Sequence, residues 1–139
     1  IKRAHRYGTP MSVVMFDIDH FKNVNDDFGH DIGDRVLQNL AHEVQHQLRD
    51  TDKLCRVGGE EFCILMPETH IEGAVHIAER LSHTISNLSL TDIPRQVTIS
   101  IGVTELNRWD NEMSIYKRVD IALYKAKNDG RNRIEVLND

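Results

Sequence analysis

Residues 11–19, MSVVMFDID, are apolar almost without a break until the run closes on acids. A continuous run of this kind suits a central strand covered on both faces. Across residues 34–49 the period changes, with Val36, Leu37, Leu40, Ala41, Val44 and Leu48 recurring at helical spacing. Two short strand-like runs, 53–57 and 61–66, flank Gly58 and Gly59 and predict a hairpin. Ile71, Ala74, Val75, Ala78, Leu81, Ile85 and Leu88 line one face of a further helix. In QVTISIGVT (96–104) the pattern alternates, so Val97, Ile99, Ile101 and Val103 share one face of a strand. Ile115, Val119, Ala122, Leu123 and Ala126 mark a last helix, which Gly130 stops ahead of a short strand near 133–136. No internal repeat, low-complexity tract or linker divides the chain.

Strand, helix, strand, strand, helix, strand is the βαββαβ order of ferredoxin-like folds, an α/β (α+β) class, here with one more helix and strand appended. In that topology the first strand and the hairpin strands lie side by side. Asp17 and Asp19, closing strand one, then approach Glu60 and Glu61 in the stretch RVGGEEF (56–62). Crowded carboxylates raise one another's pKa unless a cation sits among them. Hard oxygen ligands select Mg²⁺ or Mn²⁺, and such a cluster serves phosphoryl or nucleotidyl transfer. Each part alone has a plainer meaning. A GGEE hairpin is a solvated turn, Asp17 and Asp19 cap the next helix, and Lys127 and Arg131 are helix C-terminal charges.

Composition narrows the classes. The 139 residues suffice for one domain with its own core, and 40% hydrophobic with 28% charged residues is globular composition. A net charge of −5 argues against a nucleic-acid groove, which carries a basic excess. No apolar run reaches a membrane span and no signal peptide is visible. A chain opening on Ile1 reads as an N-terminally truncated piece of a longer regulatory protein. This points to a cytoplasmic domain without membrane contact of its own, in a protein that a missing N-terminal part could anchor. A two-residue turn at Gly58–Gly59 would offset Cys55 from Cys63 by one position, putting the side chains on opposite faces. Both then read as buried free thiols in a reducing compartment.

Two other patterns carry less. His42-Glu43-Val44-Gln45-His46 matches the H-E-x-x-H zinc motif. Its helix buries Leu40, Val44 and Leu48, however, and both histidines lie about 160° from Val44, on the polar face, where no walled cleft can form. DIDHFKNVNDDFGHD is acid-rich but misplaces the glycine and final glutamate of a calcium loop.

RVGGEEF resembles the GGDEF/GGEEF motif of the diguanylate cyclases, which condense two GTP into cyclic di-GMP. FDIDHFKNVNDDFGHDIGDRVL (16–37) is similar to the segment preceding that motif, and YKAKNDGRN (124–132) to the family's closing motif. The three occur in the family's order across nearly the whole chain. The resemblance implies a ferredoxin-like palm, as in nucleotidyl cyclases and polymerases. It further implies that Asp17, the Ile18 carbonyl, Glu60 and Glu61 hold the metal, and that one of the two glutamates, Glu60 ahead of Glu61, helps to deprotonate the attacking 3′-hydroxyl. Asn25 and Asp34 resemble the guanine-reading residues. An ionised carboxylate only accepts, and guanine offers N1–H and N2–H₂ donors. His30 lies in the same segment, beside the nucleotide. Lys127 and Arg131, four apart near a helix end, would converge on the β- and γ-phosphates.

Arg49-Asp50-Thr51-Asp52 is an RxxD ending shortly before Gly58, the spacing at which the family carries its product-inhibition site, and Arg80 matches that site's second arginine. The resemblance implies GTP as substrate, cyclic di-GMP as product and allosteric inhibitor, and a catalytic homodimer. It also implies an upstream sensor or receiver domain. The alternative is a non-catalytic module that senses GTP or cyclic di-GMP; the intact acid pair argues against it. The family's D-x-L-T segment is absent from these residues, so the floor of the nucleotide pocket and the first helix are expected to be incomplete.

Overall fold

The computed structural model describes residues 1–90 and 93–138. Among them the elements run α1 (Lys2–Tyr7), β1 (Met11–Ile18), α2 (Phe21–Phe28), α3 (His30–Gln47), β2 (Lys53–Arg56), β3 (Glu61–Pro67), α4 (Ile71–Ser86), β4 (Ile99–Glu105), α5 (Glu112–Asn128) and β5 (Ile134–Val136). The strands form one sheet ordered β2-β3-β1-β4-β5. β1 pairs antiparallel with both β3 and β4, β2 antiparallel with β3, and β5 parallel with β4. The first four strands with α3 and α4 make the ferredoxin-like palm; α5 and β5 extend it.

The unbroken apolar run of β1 is explained by cover on both sides, since all its residues are buried. Val14, Phe16 and Ile18 face a core shared with α3, α4 and the alternating Ile99, Ile101 and Val103. Val13 and Met15 face a second cluster with Cys63, Ala4, Ile115, Val119 and Leu123 under α1 and α5. Gly102 brings α5 down onto β4, because a Cβ there would lie 2.5 Å from Leu123 N and 2.7 Å from Val119 O. That contact fixes where α5 delivers its C-terminal residues.

The structure adds two helices that periodicity leaves blank. In α2 only Phe21 and Val24 are buried, too few anchors to show a period, and α1 buries Ala4 alone. Gly29, at φ 92°, separates α2 from α3, which begins at His30, before the predicted start.

The hairpin corrects the cysteine reading. Val57 N–H donates to Glu61 O at 2.9 Å, so the turn holds three residues, Gly58, Gly59 and Glu60. Arg56 Nε bonds the carbonyls of Gly58 (3.2 Å) and Gly59 (3.0 Å) and stiffens that turn. With an odd loop Cys55 falls directly opposite Cys63 and their side chains share a face. Both thiols are free, but Cys55 is exposed on the edge strand and only Cys63 is buried. Burial, with a contribution from Cys55, pushes the Cys63 thiol up to about 12, which leaves it unreactive.

Candidate active site

β1 and β3 set the acids by register. Asp17 lies opposite Glu61 at the end of the ladder, one residue from the Gly58–Glu60 turn. Asp17 is 4% exposed. Its Oδ2 pairs with Lys127 Nζ from α5, and that ammonium is 3.7 Å from Glu61 Oε2. Asp17 Oδ1 is buried with no hydrogen-bond partner. Burial raises the Asp17 carboxyl most; Lys127 pulls it down through hydrogen bond and charge, while Glu60 and Glu61 push it up, to about 6. Burial works against the Lys127 charge, but Asp17, Glu61 and Glu60 outweigh it and hold the ammonium above its usual range.

These observations test whether a metal fits. Among the described residues no three His, Cys, Asp or Glu side chains form a ready-made cage. What the chain supplies is a buried acid with one oxygen lacking a partner, two further carboxylates near enough to act on its charge, and an ammonium standing where a cation is needed. The donor set is all oxygen, as Mg²⁺-type ions require. Ile18, whose carbonyl is the remaining sequence-based candidate, is the last residue of β1.

A pH effect follows. The Asp17 carboxyl is raised in the folded chain to about 6, so folding stabilises its protonated form. That stability is full below about pH 4 and is lost as pH rises through about 6, a change on the order of 3 kcal/mol. A divalent cation competes with the proton for the same oxygens. Added metal should therefore raise the Tm more at pH 8 than at pH 5 in scanning calorimetry; equal shifts at the two pH values would refute the assignment.

The base-reading candidates come from the α2–α3 junction. Asn25 packs its side chain over the backbone of α3, where a Cβ on Gly33 would sit 1.9 Å from Asn25 Oδ1. Gly33, buried in the first turn of α3, thus leaves room for the Asn25 side chain against that turn, and the exposed Asp34 is the next residue along it. The sequence signal was a glycine inside a helical stretch, which calls for a packing reason. His30 opens α3 and is exposed. One turn beyond Asp34, a cavity of about 260 Å³ lies between α3 and the hairpin, lined by Leu37, Gln38, Ala41, Leu54, Arg56 and Phe62.

Lys127 and Arg131 are not a helical i,i+4 pair. α5 ends at Asn128, and Gly130, Arg131 and Asn132 all take positive φ (130°, 63° and 46°). Lys127 turns inward to Asp17, whereas Arg131 is exposed in the turn. Sequence reasoning also missed the role of Asp19. It is 7% exposed and accepts hydrogen bonds from Thr98 Oγ1 (2.6 Å), Ser100 Oγ (2.6 Å) and Asn132 N (2.9 Å). Nothing local signals a bond to a residue so far along the chain.

The candidate inhibitory residues gather at the other end of β3, roughly 20 Å from the acids at strand rise. Arg49 closes a fork on Asp52, Nη2 to Oδ1 at 2.9 Å and Nε to Oδ2 at 3.2 Å, and also bonds Pro67 O and Thr69 Oγ1. Asp52 is 4% exposed. Arg80, on α4, donates to Gln47 O at 2.8 Å and Gln47 Oε1 at 3.1 Å. His42 and His46 are exposed on α3, with Nε2 atoms 3.0 Å apart.

A ferredoxin-like palm with carboxylates at the β1–β3 end, facing a lysine from α5, defines a domain of the nucleotidyl-transfer class. The whole chain bears this out at the level of family. Residues 1–133 match the model of "Diguanylate cyclase, GGDEF domain", and the chain belongs to that family. It is 41% identical over 138 residues to the diguanylate cyclase DgcP of Pseudomonas aeruginosa, covering 98% of this chain and 21% of that protein. The active GGEEF domain of a Vibrio cholerae diguanylate cyclase superposes with a TM-score of 0.91 at 42% identity, covering 97% of this chain and 87% of that one. The GGDEF domain of DgcB from Caulobacter crescentus, solved in complex with c-di-GMP, gives 0.92 at 31% identity, with 97% and 82% covered. The chain spans between a fifth and two fifths of the length of the curated relatives it matches first. Diguanylate cyclases of this family are metal-dependent. No helix among the described residues is long and apolar enough to cross a membrane.

Proposed function

We propose that this chain is the single catalytic domain of a longer regulatory protein and condenses two GTP into cyclic di-GMP, releasing two pyrophosphates. The observation that carries the reading is the buried Asp17, with an oxygen lacking a partner, set by register against Glu61 and held by Lys127. Asp17, the Ile18 carbonyl, Glu60 and Glu61 would hold Mg²⁺ or Mn²⁺, which when bound supplies Lewis-acid stabilisation of charge on the phosphates. Lys127 then leaves the acids for the β- and γ-phosphates, where Arg131 joins it as a second cation. Asn25 and Asp34 accept from the guanine edge, with His30 beside the nucleotide and the apolar cavity between α3 and the hairpin walling off water. Glu60 takes the proton of the 3′-hydroxyl. One domain supplies one nucleotide site, so two copies face each other antiparallel. Each 3′-oxygen bonds to the opposite α-phosphorus as the bond to pyrophosphate breaks. GTP as substrate implies a cytoplasmic setting, with an upstream sensor or receiver domain controlling the encounter. Incubating the purified chain with GTP and Mg²⁺ and assaying cyclic di-GMP and pyrophosphate tests the reading; GTP bound without product would make it a sensing module.

Base selection should rest on Asp34. Asp34→Ala leaves two guanine donors without acceptors and should weaken GTP binding about tenfold while leaving the already weak ATP binding unchanged. Calorimetric titration of both nucleotides decides it, and unchanged GTP affinity would remove Asp34 from the site.

Arg49, Asp52 and Arg80 would bind the product away from the metal and hold two domains out of the facing arrangement. The Arg49 fork is already closed on a buried carboxylate, so product must share it or draw it off. Arg49→Ala should relieve product inhibition without lowering the initial rate. It should also lower the Tm by roughly 2–5 °C, because Asp52 loses the guanidinium and keeps only the backbone N–H of residue 49. Coincident inhibition curves for wild type and variant, or inhibition abolished by saturating GTP, would reduce the motif to a structural ion pair.

A further inference from the structure

The turn that presents Arg131 is conformationally costly. Arg131 and Asn132 both lie in the left-handed region, at φ 63° and 46°, directly after Gly130 at φ 130°. Asparagine tolerates that region; arginine does so at a cost, and such a conformation persists only where its surroundings impose it. Two bonds impose it here. Arg131 N donates back to Ala126 O at 3.0 Å, closing the end of α5, and Asn132 N donates to Asp19 Oδ2 at 2.9 Å. The first is local to the helix. The second is the tie from the sheet.

Asp19 is built for that tie. It follows β1 directly, its own N–H bonded to Thr98 O at 2.9 Å, and it is 7% exposed. The hydroxyls of Thr98, just ahead of β4, and Ser100, within it, each at 2.6 Å, hold its two oxygens. Among the described residues the hydrogen bonds it accepts come from two hydroxyls and a backbone N–H, all neutral donors outside the acid cluster. Asp17 at the end of β1 and Asp19 just after it thus hold the end of α5 and the turn that follows it at two points. Asp17 takes the Lys127 side chain, and Asp19 takes the backbone after Arg131. Asp17 would be shared between Lys127 and any bound cation, whereas the Asp19 tie involves none of the candidate metal ligands.

We propose that Asp19 is the positioning residue of the phosphate-binding turn: its buried carboxylate, locked to β4, fixes the left-handed Arg131–Asn132 backbone so that Arg131 is pre-oriented toward the nucleotide's outer phosphates. The proposal rests on the reading of Arg131 as a phosphate ligand. Asp19 acts through the turn and touches neither substrate nor metal.

The test separates phosphate binding from base binding. The probes are 3′-deoxy-GTP, which cannot cyclise, and GMP, which lacks the outer phosphates, each titrated calorimetrically in Mg²⁺ into the full chain. Asp19→Asn keeps size but leaves one acceptor oxygen where there were two and replaces a carboxylate acceptor of the Asn132 N–H by a weaker amide oxygen. It should weaken 3′-deoxy-GTP about tenfold and GMP by less than twofold, with Mn²⁺ binding in the absence of nucleotide unchanged by electron paramagnetic resonance. Arg131→Ala should show the same selectivity, and the double variant should be no more than twofold weaker than Arg131→Ala. Thr98→Val, which removes one clamp on the carboxylate and keeps its charge, should give a smaller loss of the same kind and serves if Asp19→Asn folds poorly. Equal losses for both ligands, or additive losses in the double variant, overturn the proposal. If Arg131→Ala binds 3′-deoxy-GTP as wild type does, the phosphate reading fails and takes the proposal with it. If Arg131→Ala loses affinity while Asp19→Asn and Thr98→Val do not, the proposal alone fails.

Discussion

Glu60→Gln and Asp17→Asn should each give a folded domain whose cyclic di-GMP synthesis has dropped by roughly 10³-fold or more, the scale of losing several kcal/mol of metal-borne charge stabilisation. The two substitutions keep side-chain volume and remove a charge from an all-oxygen donor set. Asp17 is the more buried, and its Oδ1 has no protein partner to lose. Replacing it also removes the group that makes the metal-free fold less stable at high pH. The metal-induced rise in Tm should vanish with the activity; the metal-free Tm of Glu60→Gln should hold within a few degrees, while that of Asp17→Asn should rise at pH 8, where the buried wild-type carboxylate is costly. Product assay and calorimetry on the same preparations check both halves. A folded Glu60→Gln protein making cyclic di-GMP at near the wild-type rate would contradict the central claim.

The second large effect is on concentration. In the proposed reading each chain offers one acid cluster, one base-reading pair at Asn25 and Asp34 and one turn carrying Arg131 beside Lys127, enough for one nucleotide. Two such sites must meet before either 3′-hydroxyl has a target. The rate per chain should therefore fall in proportion to dilution once the protein is far below its dimer dissociation constant, tenfold for each tenfold dilution. Pyrophosphate release measured across several decades of protein concentration tests this. A flat rate per chain through that range would mean that one domain completes the reaction, and the facing arrangement would be wrong.

Much of the fold is legible because burial leaves strong periodic marks. The unbroken run of β1 is covered on both faces, and the alternating Val97, Ile99, Ile101 and Val103 all enter one core. The acids at Asp17, Glu60 and Glu61 follow from element order alone, because β1 lies beside β3 in that topology. What stays hidden lacks either period or locality. α2 buries two side chains. The hairpin register depends on whether Glu60 belongs to the strand or the turn, and Gly-Gly permits both. The spacing of Lys127 and Arg131 reads as helical, yet the left-handed turn sets them on different backbones. The bond from Asp19 to Asn132 joins the ends of a chain segment no local pattern spans.

The three-residue turn bears on how such domains can change length. β3 is anchored by seven paired residues along β1, Met11–Asp17 against Glu61–Pro67, whereas β2 is a four-residue edge strand, mostly exposed. Deleting one residue from the turn would therefore be absorbed by β2 sliding in register, and Glu61 would stay opposite Asp17. Slippage by one residue turns Leu54 and Arg56 out of the cavity beside α3 and brings Cys55 into it. Insertions and deletions in this hairpin thus register first in the lining of the cavity beside α3, and the acid cluster is insulated from them by its pairing with the sheet's central strand.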